Sequence, residues 1–282
     1  MSEIRKLPAV LTIAGSDSGG GAGVQADLRT FNAFGVYGCS VITAATSQNP
    51  NEVRRVDVLS SEAVKCQMET VLDAIPIRFA KTGMLANSGI IEAVAGVCKT
   101  RQLELVIDPV MVSTSGTRLL ETSAVIAMKE KLFPLSTWIT PNVPEAELIC
   151  GREINSVSDL ADAAKLLYEQ FGCNVILKSG HLASSDHAAD AVCHEGKLYL
   201  LNSPHLDIPG NAAHGTGCTL SAALTALLAR GKRWDAAVAE AKAFVYGSLL
   251  ERAALSGTLC QMYIPEKSYV KSVTLEEVSR SL

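Results

Sequence analysis

The sequence predicts an α/β protein with a central, mostly parallel sheet that is covered by helices on both faces. Short apolar runs alternate with longer stretches of helical spacing along most of the 282 residues, and this alternation is typical of repeated strand–helix units. Apolar residues make up 48% of the chain, which is enough to bury a sizeable core. No repeat, linker or low-complexity tract divides the sequence. We therefore expect one domain over residues 1–282, with a weakly patterned polar tail from about residue 260.

The first half of the chain predicts four strands and three helices. The strands are short apolar runs, and the helices show apolar residues at helical spacing. The helix over 60–75 opens on a capping-box-like Ser-Ser-Glu-Ala-Val, and Gly35 ends the helix before it. The predicted strands are residues 9–15, 37–46, 77–84 and 103–111. The predicted helices are residues 23–35, 60–75 and 88–100.

The second half continues the same alternation. Pro134 stops one helix, Pro141 breaks a strand, and Gly172 closes a well-capped helix. Glu195 and Gly196 mark the turn of a hairpin within residues 190–202. The predicted strands outside the hairpin are residues 136–142 and 173–180. The predicted helices are residues 122–133, 156–172, 219–230 and 234–255.

Charge and composition exclude several classes of protein. The net charge is −4, the isoelectric point is near 5.8 and no basic block occurs, so nucleic acid is not an expected partner. The first residues lack the apolar run of a signal peptide, and no apolar stretch approaches the roughly 20 residues of a membrane span. The eight cysteines lie at least 20 residues apart, which excludes paired-cysteine zinc and redox motifs. We expect buried thiols and a cytoplasmic location.

Polar and glycine-rich residues follow nearly every predicted strand. In an open α/β sheet, ligands bind beyond the carboxyl ends of the strands. We therefore expect a ligand site along this edge of the sheet. The polar, glycine and proline residues at the ends of the predicted strands are residues 15–17, 48–49, 81–83, 108–109, 140–142 and 178–180.

A first glycine loop spans residues 15–28 and lies between a predicted strand and a predicted helix. Its Gly21-x-Gly23-x-x-Ala26 pattern resembles a dinucleotide fingerprint, which also needs an acidic residue about 20 residues on. The next strand ends in residues 44–49, where no acidic residue occurs. The sequence therefore argues against a dehydrogenase, and a substrate-gripping loop or a plain turn remains.

A second glycine loop opens the stretch HGTGCTLSAALTALLARG, residues 214–231. Gly215, Thr216, Gly217 and Cys218 can direct successive N–H groups at one point, and the following helix adds its positive dipole end. Such an anion hole suits a phosphoryl group in transfer. No GxxxxGK[ST] motif occurs in the chain, yet a kinase needs mainly positioning and neutralised charge. We expect these four residues to be catalytic.

Cys218 lies where a helix N-terminus favours the thiolate. A thiolate beside the anion hole can take the proton from a substrate hydroxyl as that oxygen attacks phosphorus. Two alternatives stay open. Cys218 is a small residue chosen for close helix packing, or it is a covalent nucleophile paired with His214, for which no second orienting group is evident.

The motifs resemble those of a known family when they are taken in order. AGSDSGGGAGVQADLRTF, YGCSVITAATSQN, KTGML, IDPVM, ITPNVPEAELI, LKSGH and HGTGCTLSAA resemble the hydroxymethylpyrimidine/phosphomethylpyrimidine kinases of thiamine biosynthesis, in the ribokinase superfamily. The resemblance covers roughly residues 8–255. It implies a three-layer α/β/α ribokinase-like fold and a homodimer. It also implies two ATP-dependent steps at one site, which convert 4-amino-5-hydroxymethyl-2-methylpyrimidine to its monophosphate and then to its diphosphate.

The resemblance also implies the residues that contact the pyrimidine. Asp27 would hydrogen-bond the exocyclic amine, and Gln48 would bind the edge of the ring through its donor and acceptor. Gly15 and Val41 would lie against the ring face, and Met84 would cap it with a polarizable side chain. A charge on a helix face is the alternative for Asp27, and a core position is the alternative for Met84.

For ATP and Mg²⁺ the resemblance implies a second set of residues. Asn142 and Glu145 match the NxxE motif of the superfamily, whose Glu orders Mg²⁺ and its waters, and Asp108 would share the metal. Lys178 would meet the ATP phosphates as a point charge, and His214 would contact ATP where its loop closes over the nucleotide. The same Asn-Val-Pro-Glu run is also a good helix cap, and Lys178 is otherwise an ordinary lysine at a strand end.

The sequence leaves three further interpretations to consider: a metal site, a pyridoxal kinase and a non-catalytic binding protein. His181, His187 and His194, together with Cys193, have spacings that match no tight metal-ligand pattern. A pyridoxal kinase of the same superfamily is the nearest rival, although Gln48 and the full HGTGC run favour the pyrimidine. A non-catalytic sugar- or nucleotide-binding relative is the other rival, and the intact anion hole speaks against it. The chain departs from the family in the small residues 212–213 and in its C-terminal ending.

Overall fold

A wide, mostly parallel sheet forms the centre of the protein, as the sequence predicts. The computed structural model describes residues 6–111, 121–180, 187–208, 210–256 and 259–278. The strands of the main sheet are β1 (Ala9–Asp17), β2 (Tyr37–Asn49), β3 (Glu52–Val58), β4 (Phe79–Thr82), β5 (Glu104–Ile107), β6 (Ser136–Ile139), β7 (Asn174–Leu177), β8 (His187–His194), β9 (Lys197–Pro204) and β12 (Thr274–Glu277). A separate hairpin consists of β10 (Ala253–Ser256) and β11 (Leu259–Gln261).

The strand order in the main sheet is β12-β9-β8-β7-β6-β5-β4-β1-β2-β3. Strands β1, β2, β4, β5, β6 and β7 run parallel to their neighbours within this group, and β3, β8, β9 and β12 are antiparallel additions at the two edges. The chain proceeds from β1 to β2 on one side and later to β4 on the other. The strand order therefore reverses between β1 and β4, and such a switch point is where open α/β sheets bind ligands.

Helices cover both faces of the sheet. The helices are α1 (Gly23–Ala33), α2 (Ser61–Ala74), α3 (Ser88–Arg101), α4 (Thr122–Ala127), α5 (Val143–Cys150), α6 (Val157–Phe171), α7 (Thr216–Ala229) and α8 (Trp234–Leu250). Alternate residues of each strand face opposite layers, as a strand requires. In β1, Leu11 and Ile13 pack with α2 and α3, whereas Val10 packs with α1, α7 and α8. This gives the predicted three-layer α/β/α arrangement.

Local capping explains several helix boundaries. Ser60, Asn87 and Ser156 begin helices by accepting a hydrogen bond from a first-turn amide through their side chains. Gly151 and Gly172 end helices in the left-handed region, which glycine adopts without a Cβ penalty. These short-range signals are the reason that most predicted helices lie close to their predicted bounds.

The structure corrects several boundaries. β2 extends three residues past the predicted 46, and the predicted helix over 122–133 passes after Ala127 into a π-helical turn, Met128–Leu132, and a 3-10 turn. Helix α7 begins at Thr216 rather than at 219, because Gly215 serves as its N-cap. Helix α8 ends at Leu250 rather than at 255.

Two further corrections concern the edges of the sheet. No strand was predicted over β3, because most of its residues are exposed and charged and show no apolar alternation. Its pairing with β2 holds it at the edge. The C-terminal tail is not merely a weakly patterned extension, since β12 pairs with β9 and joins the main sheet. His181, which was considered as a metal ligand, lies outside the described residues. Within the described part of the chain, no helix is both long enough and apolar enough to span a membrane.

Candidate active site

The two glycine loops of the sequence lie against each other at the carboxyl edge of the sheet. His214 Nε2 is 3.1 Å from Asp17 Oδ2, which joins the second loop to the end of β1. Gly215 has a φ of +86°, and a Cβ at this position would overlap the carbonyl oxygen of Gly21. Glycine is required here both for the left-handed backbone and for the close approach. The loops therefore form one site rather than two.

The Asp17 carboxylate organises the first loop. Its Oδ1 accepts a hydrogen bond from the Gly19 amide and its Oδ2 accepts one from the Ala22 amide, each at 2.8 Å. Burial acts to raise the pKa of Asp17, but the hydrogen bonds from His214 and from the two amides outweigh it and lower the pKa. Asp17 is therefore a charged anchor that fixes the loop between β1 and α1.

Gln48 is brought to the same place from the end of β2. Its Nε2 lies 3.2 Å from His214 Nε2, the ring nitrogen that also contacts Asp17. One imidazole nitrogen cannot donate to the carboxylate and accept from the amide at the same time. When His214 donates to Asp17, the Gln48 amide must present its oxygen to the ring, and its NH₂ group then points elsewhere.

The N-terminus of α7 provides the predicted anion hole. The first intrahelical bond runs from the Thr219 amide to the carbonyl of Gly215, at 2.9 Å. Helix geometry leaves the amides of Thr216, Gly217 and Cys218 without an intrahelical acceptor. The dipole of a 14-residue helix adds partial positive charge at the same end. These three amides can bind phosphoryl oxygens.

Lys178 and Asp108 lie next to this helix start. Lys178 Nζ donates to Asp108 Oδ1 at 2.9 Å, and Thr140 Oγ1 lies 3.2 Å from the same oxygen. A Cβ built on Gly217 would be 3.1 Å from Lys178 Nζ and 3.2 Å from Asp108 Oδ2. Burial acts to lower the pKa of Lys178, but the carboxylates of Asp108 and Glu145 raise it. A fixed ammonium therefore adjoins the anion hole.

Glu145 and Asn142 form a capping box at the start of α5. The Asn142 amide donates to Glu145 Oε2 at 2.8 Å, and the Glu145 amide donates to Asn142 Oδ1 at 2.9 Å. The helix-cap interpretation is therefore confirmed. Burial raises the pKa of Glu145 to about 7, because Lys178 offsets the burial only in part and Asp108 adds to it.

The carboxylates of Asp108 and Glu145 fit a magnesium ion. The described residues contain no cluster of three or more His, Cys, Asp or Glu side chains that would hold a metal on its own. Magnesium in kinase sites is usually held by one or two carboxylates together with substrate phosphates. Glu145 is buried with a raised pKa beside Asp108, and a divalent cation would favour its charged form. His194 and Cys193 form no such cluster either.

Cys218 is half-buried on the first turn of α7. The Gly23 amide, at the N-terminus of α1, donates a hydrogen bond to its sulfur. The sequence predicts that the helix N-terminus favours the thiolate form of Cys218. This prediction is wrong, because the raised pKa favours the neutral thiol. Burial raises the pKa of Cys218 to about 11, since Lys81 lowers it only in part and the carboxylates of Asp27 and Asp108 raise it further.

The predicted pyrimidine-binding residues divide into two groups. Gly15 and Met84 meet, since a Cβ on Gly15 would lie 2.7 Å from Met84 Cε, and both adjoin the switch point. Val41 has no exposed surface and packs in the core with α2 and α3. Asp27 is also fully buried and is paired with Lys81. The contacts of Val41 and Asp27 with substrate stay predictions, and this structure offers no surface of either side chain to a ligand.

His214 contacts Asp17 at the end of β1 and Gln48 on β2. Its contact with ATP stays a prediction. Two further residues at the site, Lys81 and Gln261, have no role that the sequence predicts. Lys81 is a fully buried lysine on a central strand, and a charged residue inside an apolar run was the available signal. Gln261 of β11 reaches Gly21 from the C-terminal hairpin, a long-range contact for which the sequence carries no signal.

Comparison with known proteins finds similar sequences over most of the chain. Residues 17–260 match the model of a family described as phosphomethylpyrimidine kinase. The chain is 43% identical to a hydroxymethylpyrimidine/phosphomethylpyrimidine kinase of Haemophilus influenzae, over 88% of this chain and 92% of that protein. It is 40% identical to a thiamine biosynthesis bifunctional protein of Geobacter sulfurreducens, over 86% of this chain and 49% of that protein.

Solved structures show the same fold. The pyridoxal kinase of Staphylococcus aureus in complex with AMP-PCP and pyridoxal superposes with a TM-score of 0.84 at 32% identity. The match covers 97% of this chain and 100% of that chain. The three-layer arrangement with its mostly parallel sheet is therefore the ribokinase-like fold that the sequence predicts.

Proposed function

Because this chain belongs to the phosphomethylpyrimidine kinase family, the phosphotransferases of thiamine biosynthesis, we propose how its site performs the two phosphorylations. The first acceptor is the hydroxymethyl group of 4-amino-5-hydroxymethyl-2-methylpyrimidine, and the second is the phosphate of the resulting monophosphate. ATP is the donor in both steps. The observation that carries the proposal is the convergence of Cys218, Lys178 and Asp108 on the N-terminus of α7, beside the switch point of the sheet.

The γ-phosphoryl group binds at the start of α7. The amides of Thr216, Gly217 and Cys218 donate hydrogen bonds to its oxygens, and Lys178 neutralises part of its charge. Fixed donors need no reorganisation when negative charge develops on these oxygens. Asp108 keeps the Lys178 ammonium in place through its 2.9 Å hydrogen bond.

Cys218 removes the proton in the first step. The thiol first gives up its proton to a water molecule, which leaves the thiolate. The thiolate then takes the hydroxyl proton while the oxygen forms its bond to phosphorus and the bond between that phosphorus and the ADP oxygen breaks. In the second step the acceptor is a phosphate oxygen that is already ionised near neutral pH, so no base is needed.

Asp108 and Glu145 would hold Mg²⁺ beside the phosphates, as the carboxylate donor set suggests. The ion supplies positive charge that neutralises the phosphates. The capping box of Asn142 keeps the Glu145 carboxylate in position for this role. Gly15 and Met84 would contact the pyrimidine ring, and Gln48 would bind its edge through an amide oriented by His214.

A second candidate function is a pyridoxal kinase. It is favoured by the structural match to the Staphylococcus aureus pyridoxal kinase, which was solved in complex with pyridoxal. This match covers 97% of this chain. Both substrates are aromatic rings with a hydroxymethyl group, and the phosphoryl-transfer residues would serve either one. The ring-binding residues would then decide between them.

The test is direct phosphorylation followed by mass spectrometry. The protein is incubated with Mg-ATP and either hydroxymethylpyrimidine or pyridoxal, and the mono- and diphosphate products are quantified together with ADP. We expect the pyrimidine monophosphate first and the diphosphate later. Reaction of pyridoxal alone would establish the second candidate, and no reaction with either alcohol would leave a non-catalytic binding protein.

We also propose that residues 1–282 act as a single kinase domain, in the cytoplasm, as a homodimer. All eight cysteines are free thiols, which suits a reducing compartment. At the sheet edge, β3 exposes Val56 and Val58, with 38% and 47% of their surfaces accessible. A second copy that covers this edge would protect its unpaired backbone groups. Light scattering after size exclusion measures the oligomeric state.

A further inference from the structure

The end of β7 is fastened to the neighbouring strand β8 by a side chain. The last backbone pair in the ladder between these strands is Leu177 with Ala191. Two residues further along, Ser179 donates its amide to Asp190 Oδ1 at 2.9 Å and its hydroxyl to the same oxygen at 3.2 Å. The carboxylate of Asp190 therefore continues the connection between the strands beyond the last backbone pair.

A lysine of α8 holds this carboxylate from the other side. Lys242 Nζ lies 2.7 Å from Asp190 Oδ2, the second carboxylate oxygen. The side chains of Lys242 and Asp190 are 14% and 4% exposed, and Ser179 is also buried. A carboxylate that accepts from an ammonium and from two donors of one residue has little freedom to turn. One buried network therefore joins α8, β8 and the end of β7.

Lys178, a residue of the candidate active site, immediately precedes Ser179. The Lys178 amide donates to the Pro141 carbonyl at 2.8 Å on the β6 side, and Ser179 is held on the β8 side. The backbone that carries the lysine is thus fixed between its two neighbouring strands. The Lys178 ammonium donates to Asp108 and would be 3.1 Å from a Cβ built on Gly217, in the anion hole.

Stability alone does not explain the ion pair between Asp190 and Lys242. Apolar residues of similar volume often stabilise a core as well or better, because a buried pair requires two charges to be removed from water. An apolar pair could fill the space between β8 and α8, but it could not accept the amide and the hydroxyl of Ser179. The network is therefore explained by what it holds, which is the strand end that carries Lys178.

We propose that Asp190, held by Lys242, is a positioning residue for the Lys178 ammonium. The carboxylate fixes the backbone of Ser179 and thereby the place of the ammonium relative to the N-terminus of α7. This inference rests on the proposed binding of the γ-phosphoryl group by Lys178. Asp190 and Lys242 act through Lys178 and transfer no proton. Loss of the contact with Ser179 should therefore weaken the binding of the γ-phosphate and spare the rest of the nucleotide.

Two double variants separate the contact with Ser179 from the ion pair. Both carry Lys242→Met, and they differ only at position 190. Asp190→Leu/Lys242→Met places a branched apolar side chain there and leaves the Ser179 amide and hydroxyl without their acceptor. Asp190→Asn/Lys242→Met keeps a side-chain oxygen that can accept from Ser179. Neither variant leaves one charge of the pair buried without the other.

The experiment measures the dissociation constants of AMP-PCP and of ADP by calorimetry with Mg²⁺ present. The ratio of the two constants reports the contribution of the γ-phosphate. We expect Asp190→Leu/Lys242→Met to lower the preference for AMP-PCP over ADP by roughly tenfold. We expect Asp190→Asn/Lys242→Met to lower it by less than about threefold. If the leucine variant does not fold, Asp190→Ala/Lys242→Met replaces it, with the same loss expected.

Val192→Ala is the matched control for loss of stability, because Val192 is fully buried on β8, two residues from Asp190. Its temperature of unfolding should fall while its nucleotide preference stays unchanged. The leucine double variant is also combined with Lys178→Met. In that background it should change the preference by less than about twofold, because the ammonium that the network positions is already absent.

The outcomes separate this inference from the proposed function. If Lys178→Met alone leaves the preference unchanged, Lys178 does not bind the γ-phosphate and the inference falls with that role. If Lys178→Met lowers the preference and the leucine double variant does not, only the positioning role of Asp190 is overturned. Equal losses in the two double variants, additive effects with Lys178→Met, or equally weakened binding of both nucleotides would also overturn it. The kinase reaction itself is tested separately, since these measurements need no phosphoryl transfer.

Discussion

Gly215 lies against Gly21 so closely that the two glycine loops leave no room for a side chain between them. The contact brings residues almost 200 positions apart into one surface, and the hydrogen bond between His214 and Asp17 lies beside it. The start of α7 is therefore held in place relative to the loop that follows β1. Positioning of this kind is what phosphoryl transfer requires, since its catalysis depends on geometry and charge.

Replacement of Gly215 by Ala is expected to lower turnover at least tenfold. The new Cβ would overlap the Gly21 carbonyl oxygen and would separate the loops. Gly231→Ala is the matched control, because Gly231 also has a positive φ, +75°, but has open space around its Cβ position. Both variants carry a backbone strain of about 1–2 kcal/mol, so both lose thermal stability. Equal turnover in the two variants would show that the loop contact is unimportant.

Replacement of Cys218 by Ser is expected to slow the two phosphorylations unequally. Serine is a far weaker base than a thiolate, so the first step should fall by roughly 100- to 10,000-fold. The second acceptor is already ionised, so its phosphorylation should fall much less. Initial rates with the alcohol and with the monophosphate as separate substrates measure the difference.

The binding of an ATP analogue should be unchanged in Cys218→Ser, which calorimetry can check. Cys66→Ser serves as the control for thiol loss, because Cys66 is exposed on α2. An equal loss of rate in both steps would instead show that Cys218 maintains the shape of the anion hole and is not a base. Unchanged rates would show that Cys218 only contributes to packing.

Replacement of Glu145 by Gln is expected to raise the Mg²⁺ concentration for half-maximal activity by roughly 10- to 100-fold. Glutamine preserves the capping box with Asn142, because its amide oxygen can still accept from the backbone. The fold should therefore persist while the negative charge is lost. Titration of activity with MgCl₂ at saturating nucleotide measures the effect, with exposed Glu130→Gln as the control. An unchanged Mg²⁺ requirement would remove Glu145 from the metal site.

Replacement of Asp17 by Asn is expected to reduce stability at neutral pH by about 1–3 kcal/mol, since a charged acceptor of two loop amides is lost. The pKa of Asp17 is lowered in the folded protein, so its stabilisation is fully present above the ordinary pKa near 3.9. The stabilisation disappears as the pH falls through the lowered value. The difference in the free energy of unfolding between wild type and the Asp17→Asn variant should therefore become smaller below about pH 4.

Thermal melting from pH 3 to pH 7 measures this dependence. Asp73→Asn is the control, because Asp73 is an exposed partner of Arg101 and surface ion pairs contribute little. A difference between the Asp17 variant and wild type that does not change with pH would contradict the role of the charge.

The regular elements followed from local signals. Alternating apolar runs placed the strands from β1 to β9 except β3, and side-chain caps such as Ser60 and Asn87 placed helix starts. β3 and β12 were missed because edge strands are exposed and gain their stability from pairing with β2 and β9 rather than from an apolar pattern. A window of sequence carries no information about such a partner.

The candidate site was predicted in part. Lys178, Asp108 and the α7 amides meet as expected, because each lies at a strand end or helix start on one edge of the sheet. The electrostatic state of Cys218 was not predictable, because burial outweighs the helix N-terminus. Whether a position is buried depends on elements that come from elsewhere in the chain.

The sequence by itself determined the strand–helix alternation, the helix caps and the chemistry at each strand end, since these depend on residues within a few positions of one another. Tertiary structure alone decided that Gly21 and Gly215 would meet and that Lys81 would pair with Asp27. The reason is physical. Burial and Coulomb interactions depend on distances through space, and these are set only when helices from both ends of the chain pack on the same sheet.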